Sequence, residues 1–159
     1  MAQYKDSSLS EYSNLLSERI PAPGGGSAAA LVGACGASLI GMVAKYSIGR
    51  GKPDKIEKRL KAIDQKAERI RVRMLELVDL DAEAYMTVVR ARKGSAKDQQ
   101  RAAKHARAVP EELAKLCKDA VDLLDDLAEH GNPHLVSDVE AALDMVFAAY
   151  NSAMRFSHL

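Results

Sequence analysis

Residues 54–89, DKIEKRLKAIDQKAERIRVRMLELVDLDAEAYMTVV, decide the fold class, because their apolar residues recur at alternating steps of four and three. This spacing places the side chains on one face of an α-helix, and we expect a helix from Asp54 to about Arg92. Asp81 falls on the same face and interrupts the apolar series. A carboxylate at a packing position must be hydrogen-bonded, paired or protonated, so Asp81 has either a structural partner or a chemical role. The apolar series comprises Ile56, Leu60, Ile63, Ala67, Ile70, Met74, Leu77, Ala84 and Val88.

The amino-terminal third predicts two more helices with a glycine-rich loop between them. We expect a first helix over 9–19, then a loop over 21–27, PAPGGGS, that cannot be helical. Ser27 is a suitable amino-terminal cap for the following helix, which is rich in Ala, Gly and Ser and ends at a pair of glycines. Its residues 27–44 carry no charge and are just long enough for a membrane span. We favour a buried central helix, because the other helices are amphipathic.

The carboxyl-terminal half continues the helical pattern. A polar helix is expected over 96–109, and Pro110 either kinks it or begins a new helix. The sequence 131–133, Gly-Asn-Pro, is a stop, and a last helix begins at about Leu135. No segment shows the alternation of a strand. The sequence predicts one domain, residues 1–159, with an all-α fold: a mostly antiparallel bundle of about five to six helices.

The composition limits the kinds of ligand and partner that the protein is expected to bind. The chain has 159 residues, of which 47% are hydrophobic and 28% charged, which is typical of a globular domain. A formal net charge of +1 gives no support for binding nucleic acid or a membrane surface. Cys35 and Cys117 have neither metal-binding nor redox spacing, and the polar amino terminus lacks a signal-peptide core. We therefore expect a cytoplasmic protein.

The glycine run is the first candidate binding element. Gly24, Gly25 and Gly26 let the backbone approach a ligand closely, and the start of the next helix favours an anion. The alternative is a flexible connector between two helices. A nucleotide P-loop is excluded, because the Gly-Lys-Ser/Thr ending is absent.

Charged clusters give weaker signals. Arg50 and Lys52 either complement the preceding helix dipole or form an anion clamp at a pocket. The acidic series that begins at Glu111 invites comparison with magnesium-dependent all-α nucleotide pyrophosphohydrolases, but Lys115 stands where an acid would be required. His130 and His134 are separated by the stop at 131–133, so we expect no metal site there.

Four motifs, taken in order, resemble one family. They are PAPGGGSAAA at 21–30, VDLDAEAY at 78–85, VP at 109–110 and GNPHLVSD at 131–138. Together they resemble the formimidoyltetrahydrofolate cyclodeaminase / methenyltetrahydrofolate cyclohydrolase family, over nearly the whole chain. The resemblance implies an all-α homodimer, a one-carbon derivative of tetrahydrofolate as substrate, and no metal or separate cofactor.

The resemblance also implies roles for individual residues. The family's catalytic acid falls on Asp81, and Arg50 and Lys52 match a basic turn of the family. Asn132 and Asp138 match a motif that helps to form the pocket. The residues expected to face the folate are Gly24, Gly25, Gly26 and Ser27.

The chemistry expected of the family suits a carboxyl group on a packing face. Cyclodeamination and cyclohydrolysis both pass through a tetrahedral carbon and move protons to or from nitrogen, and desolvation of Asp81 would help it to hold a proton near neutrality. Nothing in the residues separates the two reactions, and we lean to the cyclodeaminase. The alternatives are a non-catalytic helical dimer that binds folate or serves structure, and magnesium-dependent nucleotide hydrolysis.

Overall fold

The computed structural model describes residues 3–157, and within that range it contains five α-helices and no strand. This confirms the all-α prediction. Two short 3₁₀ turns, Tyr4–Asp6 and Pro133–Leu135, precede α1 and α5. The helices are α1 (Leu9–Ser17), α2 (Gly25–Ser47), α3 (Asp54–Ala91), α4 (Ala96–His130) and α5 (Val136–Ser157).

Helices α2 to α5 form an up-and-down four-helix bundle in which successive helices are antiparallel. Gly26 and Gly33 of α2 contact Asp81 and Met74 of α3, so the two helices run in opposite directions. Helix α2 is likewise antiparallel to α5, and α3 is antiparallel to α4. Short connections between long helices favour this arrangement.

Small residues let the central helix α2 pack tightly. A Cβ on Gly36 would lie 2.8 Å from Val146 Cγ2 and 3.1 Å from the Ala142 carbonyl oxygen, so α5 approaches where only glycine fits. By length and composition alone α2 could cross a membrane, but 61% of its most apolar 18-residue window is buried among the other helices. That burial is what the core helix of a bundle requires.

The start of α2 differs from the prediction. The helix begins at Gly25, two residues before Ser27, so the glycine run is partly helical and Gly24 occupies the capping position. The prediction that Ser27 caps this helix is wrong, because its side chain is fully buried and hydrogen-bonds the Tyr12 hydroxyl instead. Packing against α1 and α3 outweighs the low helix propensity of glycine here.

Helix α4 is continuous across Pro110. The structure shows one helix from Ala96 to His130 with the proline inside it, so no new helix begins at that residue. The predicted start of this helix at residue 96 is confirmed, and Ser95 and Asp98 form a reciprocal capping box there.

Unequal helix lengths create an overhang at one end of the bundle. Helix α3 has 38 residues and α4 has 35, whereas α2 and α5 have 23 and 22. Beyond Asp81, which lies beside the start of α2, α3 continues to Ala91, about 15 Å further at the rise of an α-helix. The α3–α4 hairpin therefore projects past the amino terminus of α2.

Candidate active site

A cavity of about 450 Å³ lies beneath this overhang, at the amino terminus of α2. The glycine run forms one wall, and Asp81 and Tyr85 of α3 form another. Arg107 comes from α4 and Phe156 from the end of α5. Its size is within the usual range for small-molecule sites. The charged groups that line the cavity are the carboxyl group of Asp81 and the guanidinium of Arg107, so charge is concentrated at two points.

Asp81 lies directly against the glycine run. A Cβ built on Gly26 would overlap Asp81 Oδ1 and would lie 2.5 Å from its Cγ and 2.7 Å from its Oδ2. No side chain larger than hydrogen fits between this turn and the carboxyl group. The two features that the sequence singled out separately therefore form one structural unit.

The protonation of Asp81 is set by two opposing effects. Burial disfavours the charged form and raises the pKa of the carboxyl group above its ordinary value. A hydrogen bond from the backbone N–H of Ser27 opposes this rise, because it stabilises the carboxylate. Burial is the larger effect, so the structure favours a carboxyl group that holds its proton to higher pH than an exposed aspartate.

Tyr12 completes this cluster from α1. Its hydroxyl lies 2.9 Å from Ser27 Oγ, and both residues are buried. Burial also raises the pKa of the Tyr12 phenol, so the group remains a neutral hydroxyl. Sequence analysis did not identify Tyr12, because no local pattern relates it to a serine 15 residues away.

Four of the predicted site residues lie at the other end of the bundle. Asn132 is buried there and its N–H donates to Ser47 Oγ at 2.8 Å, at the carboxyl end of α2. Arg50 and Lys52 follow that end of the helix, and Asp138 is in the first turn of α5. The 23 residues of α2 span roughly 33 Å, so within one chain these four residues do not line the cavity.

Arg107, Tyr85 and Phe156 line the cavity but were not predicted as site residues. The pair Val109-Pro110 lies in the resembling motifs, and Arg107 is only two residues upstream. Tyr85 ends the motif that contains Asp81, four residues or about one helical turn further on. Proximity to these motifs was therefore the sequence signal that could have identified Arg107 and Tyr85.

The acidic residues of α3 and α4 form no metal site in the described part of the chain. Residues 3–157 contain no group of three or more His, Cys, Asp or Glu side chains arranged to hold an ion. Glu112 instead pairs with Arg73 at 2.6 Å, and Asp126 pairs with Arg59 at 2.8 Å, so both carboxylates join α4 to α3. These contacts favour a structural role for the acidic series.

Relatives of known name match this chain along most of its length. It is 34% identical over 148 residues to the methenyltetrahydrofolate cyclohydrolase of Methylorubrum extorquens, a match that covers 87% of this chain and 71% of that protein. It is 31% identical to the mouse formimidoyltransferase-cyclodeaminase over 159 residues, covering 91% of this chain but 29% of the mouse protein. The chain thus spans less than a third of that relative.

A solved structure matches the fold closely. The crystal structure of formiminotetrahydrofolate cyclodeaminase from Thermotoga maritima superposes with a TM-score of 0.94 and 32% sequence identity, over 97% of this chain and 78% of that one. The family model for formiminotransferase-cyclodeaminase matches residues 8–156. These matches confirm the resemblance drawn from the four motifs, and the chain belongs to the formiminotransferase-cyclodeaminase family.

Proposed function

We propose that this protein is a one-carbon folate enzyme that acts at the bridge between N5 and N10 of tetrahydrofolate, with Asp81 as its catalytic acid. The observation that supports this most directly is the contact between Asp81 and the Gly26 turn inside a cavity of about 450 Å³. A partly buried carboxyl group with a raised pKa, in a pocket that admits a small molecule, is the arrangement that acid–base catalysis needs. Relatives named for folate reactions support the same function.

The proposed reaction is the cyclodeamination of 5-formimidoyltetrahydrofolate. N10 attacks the formimidoyl carbon on N5, the N10 proton passes to the imino nitrogen, and the result is a tetrahedral carbon that carries an amino group. Asp81 transfers a proton to that amino group, the carbon–nitrogen bond breaks, and ammonia leaves with the 5,10-methenyl bridge closed. The raised pKa of Asp81 favours this direction, because the protonated carboxyl group is the form that can assist the leaving group.

The related cyclohydrolase reaction needs the other protonation state. Water attacks the methenyl carbon, and an ionised Asp81 accepts a proton from that water. The carbon–N5 bond then breaks as N5 takes this proton and the carbinol hydroxyl releases its own to solvent, which leaves a formyl group on N10. The two activities therefore depend on pH in opposite directions through the same carboxyl group. In this proposal the protein's own side chain moves the protons, with no metal or separate cofactor.

Substrate binding is proposed to use both sides of the cavity. The backbone of Gly24, Gly25 and Gly26 allows the flat pterin to approach Asp81 without side-chain obstruction. The glutamate carboxylates of folate would meet Arg107 and the basic α3–α4 hairpin. Between positions 90 and 107 the hairpin has one acidic residue, Asp98, against the basic residues Arg90, Arg92, Lys93, Lys97, Arg101, Lys104 and Arg107.

We also propose that the chain forms a cytoplasmic homodimer through the outer face of α2. Val32, Cys35 and Tyr46 are exposed along this helix, with the partly buried Leu39 and Met42 between them. No charged residue occurs in α2 before its last turn. An uncharged stripe of this length is suited to a second copy of the same helix.

The dimer is tested by the mass of the protein in solution. Light scattering on the purified protein should give twice the chain mass of 17.2 kDa, and Val32→Glu should give the monomer with unchanged helix content. Cys35 lies near the middle of α2 and is exposed, whereas Cys117 is buried, so mild oxidation would link chains through Cys35 if α2 packs on its own copy. A wild-type mass of one chain would refute the dimer.

The catalytic proposal is tested by turnover of formimidoyl- and methenyl-tetrahydrofolate. The wild-type protein should convert at least one of them, and Asp81→Asn should lower kcat by at least about 100-fold. Asparagine keeps an oxygen that can accept the Ser27 N–H, so the variant is expected to fold. Full turnover by Asp81→Asn would disprove the assignment, turnover of neither substrate would favour the non-catalytic alternative, and loss of activity with a chelator would favour metal-dependent hydrolysis.

A further inference from the structure

The amino-terminal segment is attached to the glycine run by specific polar contacts. Tyr4 donates its hydroxyl hydrogen to the Ala22 carbonyl oxygen at 3.1 Å, and the Tyr4 and Tyr12 rings meet edge to face at 6.5 Å. Tyr12 is the buried residue of α1, and its hydroxyl reaches Ser27 Oγ. A phenylalanine would fill nearly the same space, so a substitution of Tyr12 by phenylalanine isolates the contribution of this hydrogen bond.

We propose that Tyr12 is a positioning residue for Asp81, which acts by holding Ser27 in the first turn of α2 so that the Ser27 backbone N–H stays directed at the carboxyl group. This inference rests on the proposed function, in which Asp81 is the catalytic acid. It adds a residue from α1 to the site.

The first step of the argument is the fixed position of Ser27. Its side chain is fully buried, and its Oγ is paired with the Tyr12 hydroxyl at 2.9 Å. A buried hydroxyl that loses its partner turns towards another acceptor or shifts its backbone, because an unpaired polar group in an apolar site is costly. The Tyr12 hydroxyl therefore restrains both the side chain and the backbone of Ser27.

The second step is the link from Ser27 to Asp81. The Ser27 backbone N–H hydrogen-bonds the carboxyl group, which is already fixed on its other side by contact with Gly26. A shift of the first turn of α2 would lengthen this bond and weaken its support of the carboxylate. The carboxyl group would then hold its proton more strongly and would sit less accurately in the cavity.

Other groups near Asp81 do not replace this contact. On α3 itself, Asp79 accepts the backbone N–H of Lys5, and Tyr85 is 44% exposed. From α4, Arg107 lines the same cavity. From α5, Phe156 brings no charge. The hydrogen bond from Ser27 is therefore the contact that Tyr12 can control.

The test compares Tyr12→Phe with Tyr4→Phe, a matched loss of one hydroxyl from the same segment. The pKa of Asp81 is measured by ¹³C NMR of side-chain carboxyl groups, with the signal identified by its absence in Asp81→Asn. We expect Tyr12→Phe to raise this pKa, because the Ser27 N–H supports the carboxylate less well, and to lower kcat about tenfold, with KM changed less than twofold. Tyr4→Phe should leave the pKa of Asp81 unchanged, because its hydroxyl bonds Ala22 and not Ser27.

Ser27→Ala removes the same hydrogen bond from its other side and should shift the pKa of Asp81 in the same direction. It decides the question if Tyr12→Phe does not fold. The inference is overturned if Tyr12→Phe lowers only the melting temperature, or if Tyr4→Phe moves the pKa equally. The NMR measurement needs no turnover, so an inactive wild-type protein would refute the proposed function, and the pKa comparison would still decide whether Tyr12 controls the carboxyl group of Asp81. If the wild-type protein is active and the pKa of Asp81 is unchanged in Tyr12→Phe, this inference alone is refuted.

Discussion

Adding one methyl group at Gly26 should displace the catalytic carboxyl group. A Cβ there would overlap Asp81 Oδ1 and would lie 2.5 Å from Cγ, whereas ordinary contacts begin at 3.4 Å. The carboxyl group or the first turn of α2 must therefore retreat by about 1 Å. A displacement of this size at a reacting group lowers the rate by about 100-fold, so we expect Gly26→Ala to lower kcat by that factor.

The same variant should have a smaller effect on folding. Moving the carboxyl group weakens its hydrogen bond with the Ser27 N–H, which costs about 1.5 to 3 kcal/mol. Alanine recovers about 1 kcal/mol relative to glycine within a helix. The net loss of unfolding free energy should be about 1 kcal/mol, measured by urea denaturation.

Gly41→Ala is the matched control for Gly26→Ala. Gly41 lies in the same helix, and a Cβ there would meet nothing closer than 3.7 Å, at Asp64 Oδ1 and Lys45 Nζ. This variant should keep wild-type turnover and gain up to about 1 kcal/mol of stability. The reasoning is refuted if Gly26→Ala retains kcat within about threefold of wild type, or if Gly41→Ala loses activity to the same degree.

Three further predictions follow from other contacts. Because folding raises the pKa of Asp81, the folded state binds more protons than the unfolded state, and stability falls as pH rises from about 4 through that pKa. Asp81→Asn should remove this fall, which is measured by urea denaturation at pH 4.5 and 8. A variant that is less stable than the wild type at pH 8 would contradict this prediction. Ser47→Ala leaves the buried Asn132 N–H without its acceptor and should lower the unfolding free energy by about 1 to 3 kcal/mol, whereas no measurable loss would mean that the bond is not significant. Arg107→Gln should raise KM for the folate about tenfold with little change in kcat, and the rise in KM should be smaller at high salt. Arg69→Gln, on α3 and away from the cavity, should change neither KM nor kcat.

The placement of Asp81 on a packing face was predictable from sequence, because helical periodicity is local. The series from Ile56 to Val88 fixes which side of α3 is buried, and Asp81 falls on that side whatever α3 packs against. The glycine run was recognisable for a similar reason, since three consecutive glycines remove side chains wherever they lie. Their contact across a distance of 55 positions, from Gly26 to Asp81, was not predictable from either pattern.

The role expected of Ser27 shows where local rules fail. A serine before a run of helix-forming residues usually caps the helix, and here its side chain is buried and bonded to Tyr12. Tyr12 belongs to another helix, so the competing hydrogen bond exists only after α1 has folded onto the glycine run. The same reason explains why the sequence did not identify Tyr12.

The distribution of basic residues was visible in the sequence, but their distance from the site was not. Arg50 and Lys52 follow the carboxyl end of α2, whereas the cavity lies at its amino end. Arg107 reaches the cavity because α3 and α4 are longer than their neighbours and overhang the end of the bundle.

Local sequence patterns were enough to place most of the helices, their buried faces and an acid on one of those faces, since each depends on residues within a few turns of one another. Which residues share the cavity became clear only from the folded bundle. That choice depends on how far each helix extends past its neighbours and which turn lies opposite which, and these quantities are set by packing across the bundle.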